Sequence, residues 1–170
     1  MSIRVLGLGN DLLADDCLGL VAASELGRRF GSQVEAVCSS TSGFDLLDDL
    51  VGASRLLVLD TLATGAAPPG TVFEVLEGDV AGAQGGSPHY VGLFEALRLG
   101  RSLGFDMPSE VVILAVEPED VLTVGGAMSS AVAGAIEPLL DRAGAIVLGW
   151  MAADAAAASS GACTSHAQLH

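Results

Sequence analysis

A chain of 170 residues, 51% apolar and only 16% charged, is long enough for one domain with a sizeable core and too apolar to stay disordered. Its formal charge is −14 and its seven basic residues are all arginine, which excludes a basic stripe for nucleic acid or an anionic membrane surface. Cys17, Cys38 and Cys163 are widely spaced and form no CxxC pair, which excludes a disulfide scaffold and a thiolate zinc site.

In chain order, "IRVLGLG" (3–9) reads as a short strand ending in glycines, its apolar run cut by Asn10 and Asp11 before it resembles a signal peptide. "CLGLVAASELGRRF" (17–30) is predicted as a helix with Leu18, Val21, Ala22 and Leu26 on its inner face. "QVEAVCS" (33–39) alternates as a strand, and "GFDLLDDLVG" (43–52) reads as a short helix closed by Gly52. "RLLVLDT" (55–61) is an uninterrupted apolar run, as in a strand covered on both faces. "TVFEVLEG" (71–78) is a further strand, after the turn-like "APPG".

The glycine-rich "DVAGAQGGSPH" (79–89) leads into a helix with Ser87 at the cap, Pro88 first and His89 second. "YVGLFEALRLGRSLG" continues that helix, and "SEVVILAVEPE" (109–119) is a strand broken at Pro118. Residues 129–148 form a last helix, which Pro138 should kink or restart. From Met151 the composition turns to Ala, Ser and Gly, so 1–150 is expected to be the domain and 151–170 a flexible tail. The longest apolar run, 143–153, falls short of the about 20 residues that cross a bilayer. A soluble, cytoplasmic, monomeric protein is expected. Alternating strands and helices predict a single three-layer α/β/α domain around a mostly parallel, doubly wound sheet.

Such a sheet binds ligands outside the carboxyl ends of its strands. The polar residues collected there are Asn10, Asp11, Asp15, Asp16, Thr41, Ser42, Asp60, His89 and Glu117. Carboxylates with one histidine are a set able to hold a metal. Each also has a plainer reading: Asp15 or Asp16 caps the helix that follows, His89 sits on a loop, and Gly7 and Gly9 permit a tight turn. Asp60 resists such a reading, because a carboxylate closing the run 56–59 is costly to bury without a partner. No organic cofactor is expected: the dinucleotide fingerprint lacks its third glycine, replaced by Leu12, and Asp15 and Asp16 would repel a phosphate. HExxH is missing, and His166 and His170 fall in the tail, so serine, cysteine and ordinary zinc hydrolysis are not supported.

Taken together, several segments resemble the hydrogenase maturation endopeptidases of peptidase family M52. "LGLGNDLLADDCLG" is similar to the family's opening G-x-G-N-x-L-x-x-D-[DE]-x-x-G, and "TSGFDLL" to its G-T-x-G segment and helix. "LLVLDT", "SPHYVGLFEAL" and "AVEPEDVLTVGGAMSSAVAGAIEPLL" resemble the strand ending in a ligand aspartate, the S-x-H segment, and the late strand with its closing helix. The likeness runs in order from about residue 3 to residue 142, and that order gives it specificity. One departure is Cys38-Ser39-Ser40, where many members carry an acidic residue and two glycines.

The resemblance implies an aspartate-type, nickel-dependent protease that removes the carboxy-terminal extension of a nickel–iron hydrogenase large-subunit precursor after nickel insertion. It implies Asp16, Asp60 and His89 as the catalytic and metal-contacting trio, with the nickel carried by the precursor. Asn10, Thr41, Ser42 and Gly43 are the expected substrate contacts. A non-catalytic metal-binding or nickel-delivery protein on the same fold is the alternative, distinguished by leaving its substrate unshortened. A Mg²⁺ phosphoryl-transfer enzyme ranks third, disfavoured by the lack of lysine.

Overall fold

Three runs of almost unbroken apolar residues become the centre of the sheet. A computed structural model describes residues 2–76 and 88–161, except for the side chains of 88–91 and 160–161. In it β1 (Ile3–Leu8), β3 (Arg55–Thr61) and β5 (Glu110–Val116) lie side by side and parallel. Strands covered on both faces have no solvent side to make polar, hence the continuous apolar pattern. β2 (Glu35–Ser39) pairs parallel to β1 at one edge, largely exposed, and β4 (Val72–Glu74) closes the other edge antiparallel to β5. The order β2-β1-β3-β5-β4 is the expected mostly parallel, doubly wound sheet.

Helices cover both faces. α1 (Leu18–Phe30) and α4 (Ser130–Gly161) bury Leu18, Ala22, Leu26, Val132, Leu139 and Val147 against one side. α2 (Leu47–Leu50) and α3 (Pro88–Ser102) bury Leu50, Leu93 and Leu97 against the other. β3 feeds both layers by alternation: Leu57 and Leu59 join the first core, Leu56 and Val58 the second.

The α1 layer sits unusually close. A Cβ on Gly19 would lie 2.2 Å from the Leu8 carbonyl oxygen and 2.4 Å from that of Leu59, and one on Gly7 would lie 2.2 Å from the Gly19 oxygen. Gly7 therefore serves helix–strand contact rather than a turn. The inner face of α1 also differs from expectation: Gly19 and Ala23 are buried on it, while Val21 is 44% exposed.

The largest difference lies at the end of the chain. Residues 151–161, expected as tail, continue α4 to Gly161, and residues 162–170 lie outside the described residues. Alanine is the best helix former yet marks no face, so an Ala-rich stretch carries helix without visible periodicity. Met151 packs on the core, and Asp154 pairs with the Arg55 guanidinium at 2.9 Å. Pro138 does not interrupt the helix. The carbonyl it would crowd belongs to Gly134, on an exposed side of the helix. Of the strand expected over 71–78, the described part runs over 72–74, and residues 77–87 lie outside the described residues.

Candidate functional site

Winding reverses between β1 and β3, so the loops leaving their carboxyl ends flank the sheet's crevice. After β1 the chain turns at Gly9, where φ is +147° and a Cβ would meet the Asp16 carbonyl oxygen at 1.9 Å. Only glycine fits there. Asn10 shapes the next turn: its side-chain oxygen accepts from the Leu12 N–H at 2.9 Å, and its own N–H donates to the Asp16 carbonyl at 3.2 Å. A 3-10 turn, Asp15–Cys17, then leads into α1. Neither aspartate makes a side-chain cap there, contrary to the plainer reading.

The two aspartates have different surroundings. Asp15 is fully buried and accepts four hydrogen bonds from the other side of the crevice. Glu119 N–H and Asp120 N–H donate at 2.8 Å each, Ser129 N–H at 2.7 Å and the Ser129 hydroxyl at 3.0 Å. Burial alone would raise its pKa. The N–H donors of Asp120, Ser129 and Glu119 outweigh burial and hold the carboxyl below its ordinary value.

Asp16, partly exposed, accepts from the Thr61 hydroxyl at 3.0 Å. It thereby reaches across from the β1 loop to the end of β3, one residue beyond Asp60. Asp60 is fully buried, and one of its oxygens accepts the Thr61 N–H at 2.7 Å. By strand alternation Asp60 lies on the face covered by α2 and α3, and Thr61 on the face covered by α1.

His89 occupies the second position of α3, as expected, on the layer that faces Asp60. Its side chain, and Ser87, lie outside the described residues. Among the described residues no three His, Cys, Asp or Glu side chains converge in a metal-holding group. α3 comes near the β2 loop at Gly92, whose Cβ would lie 2.4 Å from the Gly43 nitrogen. Of the expected substrate contacts, Thr41 bonds the buried Ser39 hydroxyl at 2.8 Å and Ser42 precedes the 3-10 turn Gly43–Leu46. Ser39 belongs to the segment that departs from the family pattern, and its hydroxyl here ties the loop to its own strand.

Two residues were missed or left without a role by the sequence. Thr61, the bridge between the aspartates, is signalled only by a hydroxyl directly after a strand-end carboxylate. Glu117, a strand-end carboxylate with no role assigned from the sequence, is buried and accepts from the Thr64 hydroxyl and N–H and from the Gly65 N–H, fixing the loop after β3. The Cys17 thiol is pushed up by burial and by the Asp15, Asp16 and Asp11 carboxylates, which leaves it a poor nucleophile. No helix among the described residues is long and apolar enough to cross a membrane.

A family model described as hydrogenase maturation protease matches residues 21–146. The hydrogenase 2 maturation protease of Escherichia coli K12 is 30% identical over 146 residues, 84% of this chain and 88% of that protein. The hydrogenase expression/formation protein HoxM of Cupriavidus necator is 31% identical over 154 residues, 87% of this chain and 75% of that protein. Among solved structures, the E. coli hydrogenase maturating endopeptidase HybD has a TM-score of 0.72 at 28% identity, covering 84% of this chain and 90% of its own. HybD from Thermococcus kodakarensis, at 20% identity and TM-score 0.67, shares the fold, covering 86% and 99%.

Proposed function

This chain belongs to the hydrogenase maturation proteases, and from that premise we propose that it cuts the carboxy-terminal extension from a nickel–iron hydrogenase large-subunit precursor after nickel has been inserted. The nickel enters as part of the substrate. Asp16, Asp60 and His89 offer two carboxylates and one imidazole, a borderline-hard and incomplete set that leaves positions for ligands from the precursor. Nickel so held would act as recognition device and as Lewis acid beside the scissile bond. Asn10, Thr41, Ser42 and Gly43 border the crevice as substrate contacts. The enzyme works as a cytoplasmic monomer of the aspartate type.

The observation that carries this reading is the Asp16–Thr61 hydrogen bond. It brings one carboxylate of the set to the strand end that bears the other, at the crevice where doubly wound sheets bind ligands.

The test incubates purified enzyme with large-subunit precursor from nickel-replete and nickel-starved cells. Cleavage of the loaded form alone is expected, and equal cleavage of both forms would refute nickel recognition. His89→Ala should abolish cleavage while the thermal melt is retained. A change in nickel occupancy without shortening of the precursor would instead identify a delivery protein.

A further inference from the structure

Two loops at this end of the sheet are joined into a small antiparallel lip. The Gly125 N–H donates to the Leu12 carbonyl at 2.8 Å, the Ala14 N–H to Thr123 at 3.1 Å, and the Asp15 N–H to Asp120 at 2.9 Å. Leu13 and Val124 form a β-bridge between them. Asp15 pins the second loop from beneath, and the Asp120 carboxylate accepts the Leu122 and Thr123 N–H groups at 2.9 Å each. On this firmly held scaffold Leu122 is 85% exposed, Val124 74% and Leu12 62%. A scaffold so thoroughly bonded spends its rigidity on presenting three apolar side chains to solvent, four residues along the chain from Asp16 in the case of Leu12.

The charges around the lip are of one sign. Asp11 and Glu119 are exposed and Asp16 and Asp120 partly so, and neither 9–16 nor 117–129 contains an arginine or lysine. All seven arginines lie elsewhere. Arg4 and Arg55 begin β1 and β3, Arg28 and Arg29 end α1, and Arg98 and Arg101 end α3. Arg142 is bonded to Glu74 on β4. In a parallel sheet, strand beginnings and the ends of the crossover helices share the end opposite the site.

Granted the precursor as substrate, we infer that the 10–14/118–126 lip grips an extended segment of that precursor in which apolar side chains alternate with arginine or lysine. Leu12, Leu122 and Val124 take the apolar side chains, and Asp11 and Glu119 the cations. Asp15 is the positioning residue that keeps both halves of the lip in register. Complementary charge would steer encounter, and the apolar trio would hold the segment once docked.

The experiment measures binding and turnover separately, using full-length enzyme and labelled nickel-loaded precursor. Leu122→Ser/Val124→Ser should weaken binding by anisotropy, and raise KM, by on the order of tenfold with kcat within about twofold. Wild-type binding should weaken with added salt, and Asp11→Asn/Glu119→Gln should flatten that dependence. Exposed positions tolerate these changes, so unchanged melts are the check on folding. Wild-type KM and affinity retained in the Leu122→Ser/Val124→Ser variant would overturn the lip. So would a wild-type dimer in sedimentation velocity that the same substitutions dissolve, because the lip would then bind a second copy. Lip-dependent binding without any cleavage would leave the lip standing and refute the protease reading instead.

Discussion

At the scale of single residues, adjacent aspartates divide two tasks. Asp16 faces the crevice, whereas Asp15 is consumed in four hydrogen bonds to the far loop. Asp15→Asn turns one acceptor oxygen into a donor amide facing N–H donors, and should cost about 3 kcal/mol in urea unfolding at pH 7. The sign of its pH dependence follows from the depressed pKa. The charged form is favoured in the fold, so its stabilisation is complete above the ordinary value of 3.8 and fades as pH falls through the lower folded value. The gap between wild type and Asp15→Asn should therefore narrow below about pH 4. A gap that stays constant from pH 7 to 3 would show that the charge is irrelevant. Asp60 was legible in the sequence because a carboxylate ending four apolar residues is out of place without a purpose. Asp15 was legible only as acidic, since its partners stand 104 to 114 positions away.

Among the elements, α1 bears most directly on the site, because its close approach to the sheet is possible only through Gly7 and Gly19. Gly19→Ala would set a methyl group 2.2 Å from a backbone oxygen of β1 and 2.4 Å from one of β3. Backbone cannot move aside as a side chain can, so a loss of about 3 kcal/mol or more is expected. Turnover of precursor should fall further than stability predicts, since the displaced helix carries Asp16 with it. Retained activity with a normal unfolding midpoint would show that the contact is looser than described.

The far end of α4 gives a milder expectation. Truncation after residue 161 should leave the melt unchanged. Truncation after residue 152 removes the Asp154 partner of the half-buried Arg55 and should cost about 1 kcal/mol. The strands and the first five turns of α4 were legible because apolar residues run unbroken or recur with period 2 or 3.6. The last turns were not, since alanine fits every face equally.

For the molecule as a whole, the formal charge of −14 and a pI near 4.2 keep copies apart at neutral pH. As pH falls towards 4 that repulsion vanishes, before Asp15 loses its contribution. Turbidity should thus rise steeply between about pH 5 and 4, where the net charge approaches zero. The Asp15 clamp also has a consequence for time. It ties the first loop of the chain to residues 119–129, so the lip cannot exist until β5 and the start of α4 have been made and docked. Closing so long a span is paid late in folding, when the sheet already holds both ends near one another. Asp15→Asn is therefore expected to speed unfolding with little change in the folding rate, a φ-value near 0 in stopped-flow denaturant jumps. A nascent chain that ends before residue 129 would have both aspartates but no grip: the newborn protease stays toothless until Ser129 has been made and docked.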